Sequence, residues 1–239
     1  MRMRRHLTRP LLLLLSTAFL PATSALELDI QGVHMTTIGP GDQCVLIAGE
    51  YPGIRIEPSE MGLRAKICYD VIRQNLIVIT DSTFVSTQPG GTDVTINFSH
   101  TFAPGPNRRV VAHTRMSGFF ATSSGVGVAT GATIKVTGTF GQNGNSDAIG
   151  EGITHTVGED IDSGIFEDEQ LERYLAAGVR TLTGTLTFSL PEQGDKLVLP
   201  VGVQVDVQPV TRIQEKFKEA EEGVEAEFGA DDLGADGGN

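Results

Sequence analysis

Leu197, Leu199, Val201, Val203, Val205 and Val207 take every second position of one run, and only an extended strand places such residues on a single face. Leu182, Leu186, Phe188 and Leu190 share a face of the preceding run. Val94, Ile96, Phe98, His100 and Phe102 do so in an earlier one, and Leu26, Leu28 and Ile30 in a short one. A period of two kept up this long means strands buried on one side. Further strands are expected over 44–49, 65–72, 76–79, 109–116, 125–129 and 133–140.

The connections carry turn chemistry. Ala103-Pro104-Gly105-Pro106-Asn107 and Pro191-Glu192-Gln193-Gly194-Asp195 are each expected to join two strands as an antiparallel hairpin. Many strands with short turns and few helices predict an all-β fold, an antiparallel β-sandwich or jelly roll over residues 26–209. A closed barrel is the alternative.

Two segments break the alternation. Glu167 to Ala177 has acids in its first turn, Leu171, Tyr174 and Leu175 at helical spacing, and Gly178 at the capping position, which predicts one short crossover helix. Beyond Pro209, Ile213, Phe217, Ala220, Val224 and Phe228 recur every three or four residues, which predicts an amphipathic helix within 210–228. Residues 229–239 are almost entirely Gly, Ala and Asp, the composition of a disordered acidic tail.

The amino terminus predicts export. Arg2, Arg4, Arg5 and Arg9 precede an apolar run from Leu11 to Leu20, and Ala22-Thr23-Ser24-Ala25 supplies the small residues of a cleavage site. Residues 1–25 therefore read as a signal peptide, and the apolar run is too short for a permanent span. Cleavage would remove four of the eighteen Lys and Arg and none of the thirty Asp and Glu, taking the net charge from −12 to −16. So acidic a protein is not built for nucleic acid or for an anionic membrane surface, both of which are recognised through clustered Lys and Arg. A secreted, periplasmic or cell-surface protein without membrane insertion is expected. In those compartments the only two cysteines, Cys44 and Cys68, are expected to form a disulfide.

Catalytic motifs are absent. GxSxG, SxxK and HExxH do not occur, and His34, His100, His113 and His155 are the only histidines beyond the signal peptide. In the expected hairpin register His100 and His113 point to opposite faces. A hydrolase whose active site assembles from distant residues stays as an alternative. The one cluster with ligand-like spacing is Gly158-Glu159-Asp160-Ile161-Asp162-Ser163-Gly164, where Asp160 and Asp162 could offer oxygens to Ca²⁺. Its glycine comes one position early for an EF-hand loop, so a solvated acidic loop is the competing reading. No cofactor is expected.

A sugar-binding module lacks its usual stacking residues, since there is no Trp and only Tyr51, Tyr69 and Tyr174. The sequence therefore favours an exported, non-enzymatic protein of binding or assembly at the cell envelope or surface. Its expected interaction segments are residues 26–30, which could add a strand to a neighbouring sheet, and residues 211–228. A secreted carbohydrate- or calcium-dependent binding module is the second reading.

Overall fold

The computed structural model describes residues 26–37, 43–59, 64–70, 76–158 and 164–209. Thirteen strands lie among them: β1 (Leu26–Ile30), β2 (Val33–Thr37), β3 (Gln43–Leu46), β4 (Gly49–Tyr51), β5 (Ile54–Pro58), β6 (Lys66–Asp70), β7 (Leu76–Thr80), β8 (Ser82–Ser86), β9 (Thr92–Ala121), β10 (Thr133–Gln142), β11 (Asn145–Thr156), β12 (Ile165–Leu190) and β13 (Lys196–Pro209). All pairings are antiparallel, in the order β11-β10-β12-β9-β13-β7-β6-β3. β1 and β2 extend from the start of β9, and β8, β5 and β4 from the start of β13.

The two longest strands serve both layers of the fold. Thr92–Phe102 of β9 pairs with Arg180–Leu190 of β12, flanked by β1 and β10, whereas Arg108–Phe119 pairs with Ile165–Ala176, flanked by β13. The register shifts on either side of Gly178 separate the two halves. The halves pack face to face as a β-sandwich. Phe84 of β8 meets Phe188 of β12 with ring centroids 5.0 Å apart, and Phe166 of β12 lies 5.4 Å from the His155 ring of β11. Gln170 of β12 bonds both backbone groups of Gly152 on β11.

Alternation builds the core between the layers. Even-numbered residues of β9, β10 and β12 turn inward, among them Val94, Ile96, Val110, Met116, Ile134, Val136, Leu182 and Leu186, all buried. Each such side chain withdrawn from water stabilises the fold by roughly 1.5–3 kcal/mol. In β13, Leu197, Leu199, Val203, Val205 and Val207 are buried as expected. Val201 is not: the register of β13 on β9 shifts between Val198 and Gly202, and Val201 is 55% exposed.

Four further expectations need correction. Residues 167–177 form the first half of β12 and not a helix, because they pair along β9. There the apolar 3–4 spacing buries nothing for Leu171, which is 59% exposed. Residues 103–107 do not turn back. β9 runs through them, and Pro104 and Pro106, which lack an N–H, fall at positions the β12 ladder skips. Residues 191–195 do connect β12 to β13, but those strands do not pair: Leu190 is opposite Thr92, and Lys196 is opposite Val85 and Ala121. Residues 125–129 form no strand and lie in bends and irregular chain between β9 and β10. Residues 1–25, 210–228 and 229–239 lie outside the described residues. Among the described residues no helix is long and apolar enough to cross a membrane.

Candidate functional site

The residues singled out by sequence do not converge. Asp160 and Asp162 lie outside the described residues. Cys44 and Cys68 are cross-strand partners of β3 and β6, joined by a disulfide of 2.07 Å. Leu26, Leu28 and Ile30 are buried, and β1 lies between β2 and β9 of its own sheet. His34 contacts Asp29 at 2.9 Å on the surface, and His100 is buried opposite Leu26 and Leu182. His100 and His113 do face opposite ways, because they lie an odd number of residues apart on one strand and not across a hairpin.

His113 gathers two carboxylates. Its Nε2 is 3.1 Å from Glu169 of β12 and its Nδ1 3.6 Å from Asp206 of β13, while Arg115 bonds Glu167 at 2.7 Å on the same outer face. The row ties three neighbouring strands together. Among the described residues no group of three or more His, Cys, Asp or Glu side chains is placed to hold a metal ion.

The outer face of the other layer has a different chemistry. With their even-numbered residues turned inward, β9, β12 and β10 present odd-numbered ones to solvent in register. Thr95, Thr187 and Lys135 form one rank, then Asn97, Thr185 and Thr137, then Ser99, Thr183 and Thr139, and last Thr101, Thr181 and Gly141. β-Branched threonine suits a strand and leaves its hydroxyl outside. Strand geometry spaces such groups about 6.7 Å along a strand and about 4.8 Å between strands.

Some of these groups orient one another. Thr101 and Thr181 share a bond of 3.1 Å and Thr185 donates to Asn97 Oδ1 at 3.0 Å; one level beyond the first rank, Thr133 and Ser189 share a bond of 2.7 Å. A hydroxyl has one proton and two lone pairs, so Thr185, its proton committed, turns acceptor capacity outward.

The last two ranks run into a concavity of about 300 Å³ lined by Thr139, Gly141, Gln142, Asn143, Gly144, Asn145, Ser146, Thr181 and Thr183. Its rim is the two-residue turn from β10 to β11, where Asn143 and Gly144 have φ of 51° and 85°. Asn-Gly suits a tight hairpin whose two central residues both need positive φ. This dipeptide is the sequence signal that locates the site, and the period-two alternation of the flanking strands does not reveal it. Among the described residues the lining carries hydroxyls, amides and backbone but no carboxylate, imidazole, amine or aromatic ring. What it offers a ligand is neutral hydrogen bonding.

No protein-family model matches the chain, and comparison with curated proteins finds no match. Among solved structures, the chain is similar to TmCBM61 in complex with beta-1,4-galactotriose, at 11% identity over 69% of this chain and 92% of that one, with a TM-score of 0.29. A carbohydrate-binding module from Cellvibrio mixtus lichenase 5A in complex with cellotriose aligns at 10% identity over 71% and 98%, with a TM-score of 0.27. Eiger TNF from S. frugiperda aligns at 7% identity over 79% and 92%, with a TM-score of 0.24. The β-sandwich described above rests on its own strand pairing and on the packing of its two layers.

Proposed function

We propose that this chain is an exported, non-enzymatic binding protein of the cell envelope or surface, and that it holds a neutral polyhydroxylated ligand, a glycan, on the outer face of β12, β9 and β10. One observation carries the reading: four ranks of mostly hydroxyl and amide side chains run in register across three strands and end in an uncharged concavity. Such a surface meets a ligand's hydroxyls with oriented acceptors and donors, and the threonine methyls add apolar contact. Pairing within the face reduces the side-chain freedom lost on binding.

The reading differs from aromatic-stacking recognition in what it selects. Without ring faces, affinity comes from hydrogen bonds worth about 0.5–1.5 kcal/mol each, so several must act together. A single-sugar ligand would bind weakly, and a ligand spanning several ranks would bind better. The test is affinity electrophoresis of the full chain through gels containing neutral polysaccharides, beside anionic ones. Retardation in a neutral gel that is lost in a Thr181→Val/Thr183→Val variant of unchanged fold supports the proposal. Equal mobility in every neutral gel overturns it.

A further inference from the structure

The outer face of the second layer, where β12 runs beside β9, exposes apolar side chains at both ends of its charged row. Leu171 is 59% exposed at one end. At the other, Ile165 (67%) and Phe119 (37%) are direct cross-strand partners. Between them lie the Arg115–Glu167 and His113–Glu169 contacts. Leu171 and Ile165 are six residues apart on one strand, which places them about 20 Å apart.

The chain itself supplies an occupant of matching length. β13 belongs to this layer and runs toward the Leu171 end, where Pro209 is level with Val110 and, through it, with Tyr174. Pro209, the last described residue of β13, therefore lies just past the level of Leu171, and residues 210–239 follow it in the sequence. In that stretch Ile213, Phe217, Ala220, Val224 and Phe228 form the apolar stripe read from the sequence. Wound as a helix at 1.5 Å per residue, Ile213 to Phe228 spans about 22 Å. We infer that residues 211–228 fold back as an amphipathic helix along the outer face of β12 and β9, with Ile213 against Leu171 and Phe228 against Phe119 and Ile165.

Two features favour this occupant. A covalently attached segment acts at high effective concentration, so a modest apolar stripe suffices to hold it. Its departure point and length bring both ends of the stripe to both exposed ends of the face. The inference is independent of the glycan reading, which concerns the other layer.

The experiment uses the full chain with the photo-crosslinking residue p-benzoylphenylalanine at position 165. That position is exposed, so the fold tolerates it; a second protein carries it at position 171. Irradiation of dilute protein followed by peptide mapping is expected to join position 165 to the peptide holding Val224 to Phe228, and position 171 to the one holding Ile213 or Phe217. Phe228→Asp should lower the first yield several-fold and spare the second. In parallel, Ile165→Asp should speed tryptic cleavage after Lys216 and Lys218 roughly tenfold, the change expected when an apolar contact holding the segment closed is lost. Crosslinks that form only between copies, or none to residues 211–228 from either position, overturn the inference.

Discussion

Phe98 lays its ring over Gly184, its direct partner across β9 and β12: a Cβ at residue 184 would sit 2.1 Å from Cε2 of that ring. Phe98 is only 3% exposed, so the ring has no free space to retreat into. Gly184→Ala is expected to destabilise the protein by about 1–3 kcal/mol, the range for overpacking a filled core. Denaturant unfolding should show a lower midpoint. Phe98→Leu in the Gly184→Ala background should recover part of the loss; a double mutant no better than the sum of the singles would argue against this contact as the cause.

The same pair shows why alternation recovers strands but not their limits. Thr181-Leu182-Thr183-Gly184-Thr185-Leu186-Thr187 states its inner and outer faces outright, and the structure keeps both. A period of two cannot say when a strand stops, and here two strands run past segments that resemble punctuation. Pro104 and Pro106 pass as a turn unless one knows that the opposite ladder is irregular around Gly178. Leu171, Tyr174 and Leu175 suggest a helix because spacing ignores the partner strand, whose Arg115 and His113 bond Glu167 and Glu169. The candidate site was half legible. Its threonines were in view as the polar half of each alternation, but their meeting across three strands depends on long-range register.

The Cys44–Cys68 disulfide joins β3, the last strand in the sheet order, to β6. Their sequence separation is 24, and in the chain-entropy model a loop of that length is worth about 3.5 kcal/mol. Cys44→Ser/Cys68→Ser should lower unfolding stability by about that amount. Hydrogen exchange should localise early opening to β3 and β6, leaving β9, β12 and β13 protected. Uniform loss of protection across the sandwich would contradict a local role.

Asp195 ends the connection from β12 to β13 with 4% of its surface exposed, and its Oδ2 accepts the Glu192 N–H at 3.0 Å. Burial raises its carboxyl above the usual range, the Glu192 N–H opposes that shift, and the Glu192 carboxylate adds to it. A carboxyl that holds its proton more tightly when folded adds stability at low pH. That contribution is complete below its unfolded value, near 3.9, and is lost as pH rises through the folded value. Asp195→Asn keeps an oxygen for the Glu192 N–H and removes the buried charge. The variant should be at least as stable as the parent at pH 7, with a flatter stability profile from pH 4 upward. A steeper profile would refute this assignment.

At the rim of the concavity, Gly144 has φ of 85° and open space where a Cβ would go. Gly144→Ala therefore costs only the backbone term, roughly 1–2 kcal/mol for an L-residue held in the left-handed region. Thermal unfolding should register a modest drop. If the turn shapes the ligand site, glycan retention should weaken by more than the lost stability explains. Gly32, also at positive φ with open space around it but in the β1–β2 turn, is the control. Gly32→Ala should cost similar stability and leave retention alone.

Thr181 and Thr183 line both the ranked face and the concavity, and valine at either position keeps the β-branch while deleting the hydroxyl. Each substitution should cost binding about 0.5–1.5 kcal/mol, a loss of roughly two- to tenfold, and the pair more than either alone. Stability should change by less, since both residues are solvent-facing and Thr181 loses only its bond to Thr101. Because no charged side chain lines the concavity, the affinity should hold from low salt to about 0.5 M NaCl, where a surface electrostatic contact would be screened away. Glu167→Gln, which breaks the exposed pair with Arg115 on the opposite layer, should leave the affinity unchanged. Binding that survives Thr181→Val/Thr183→Val but collapses in salt would move the ligand to the charged row of the other face.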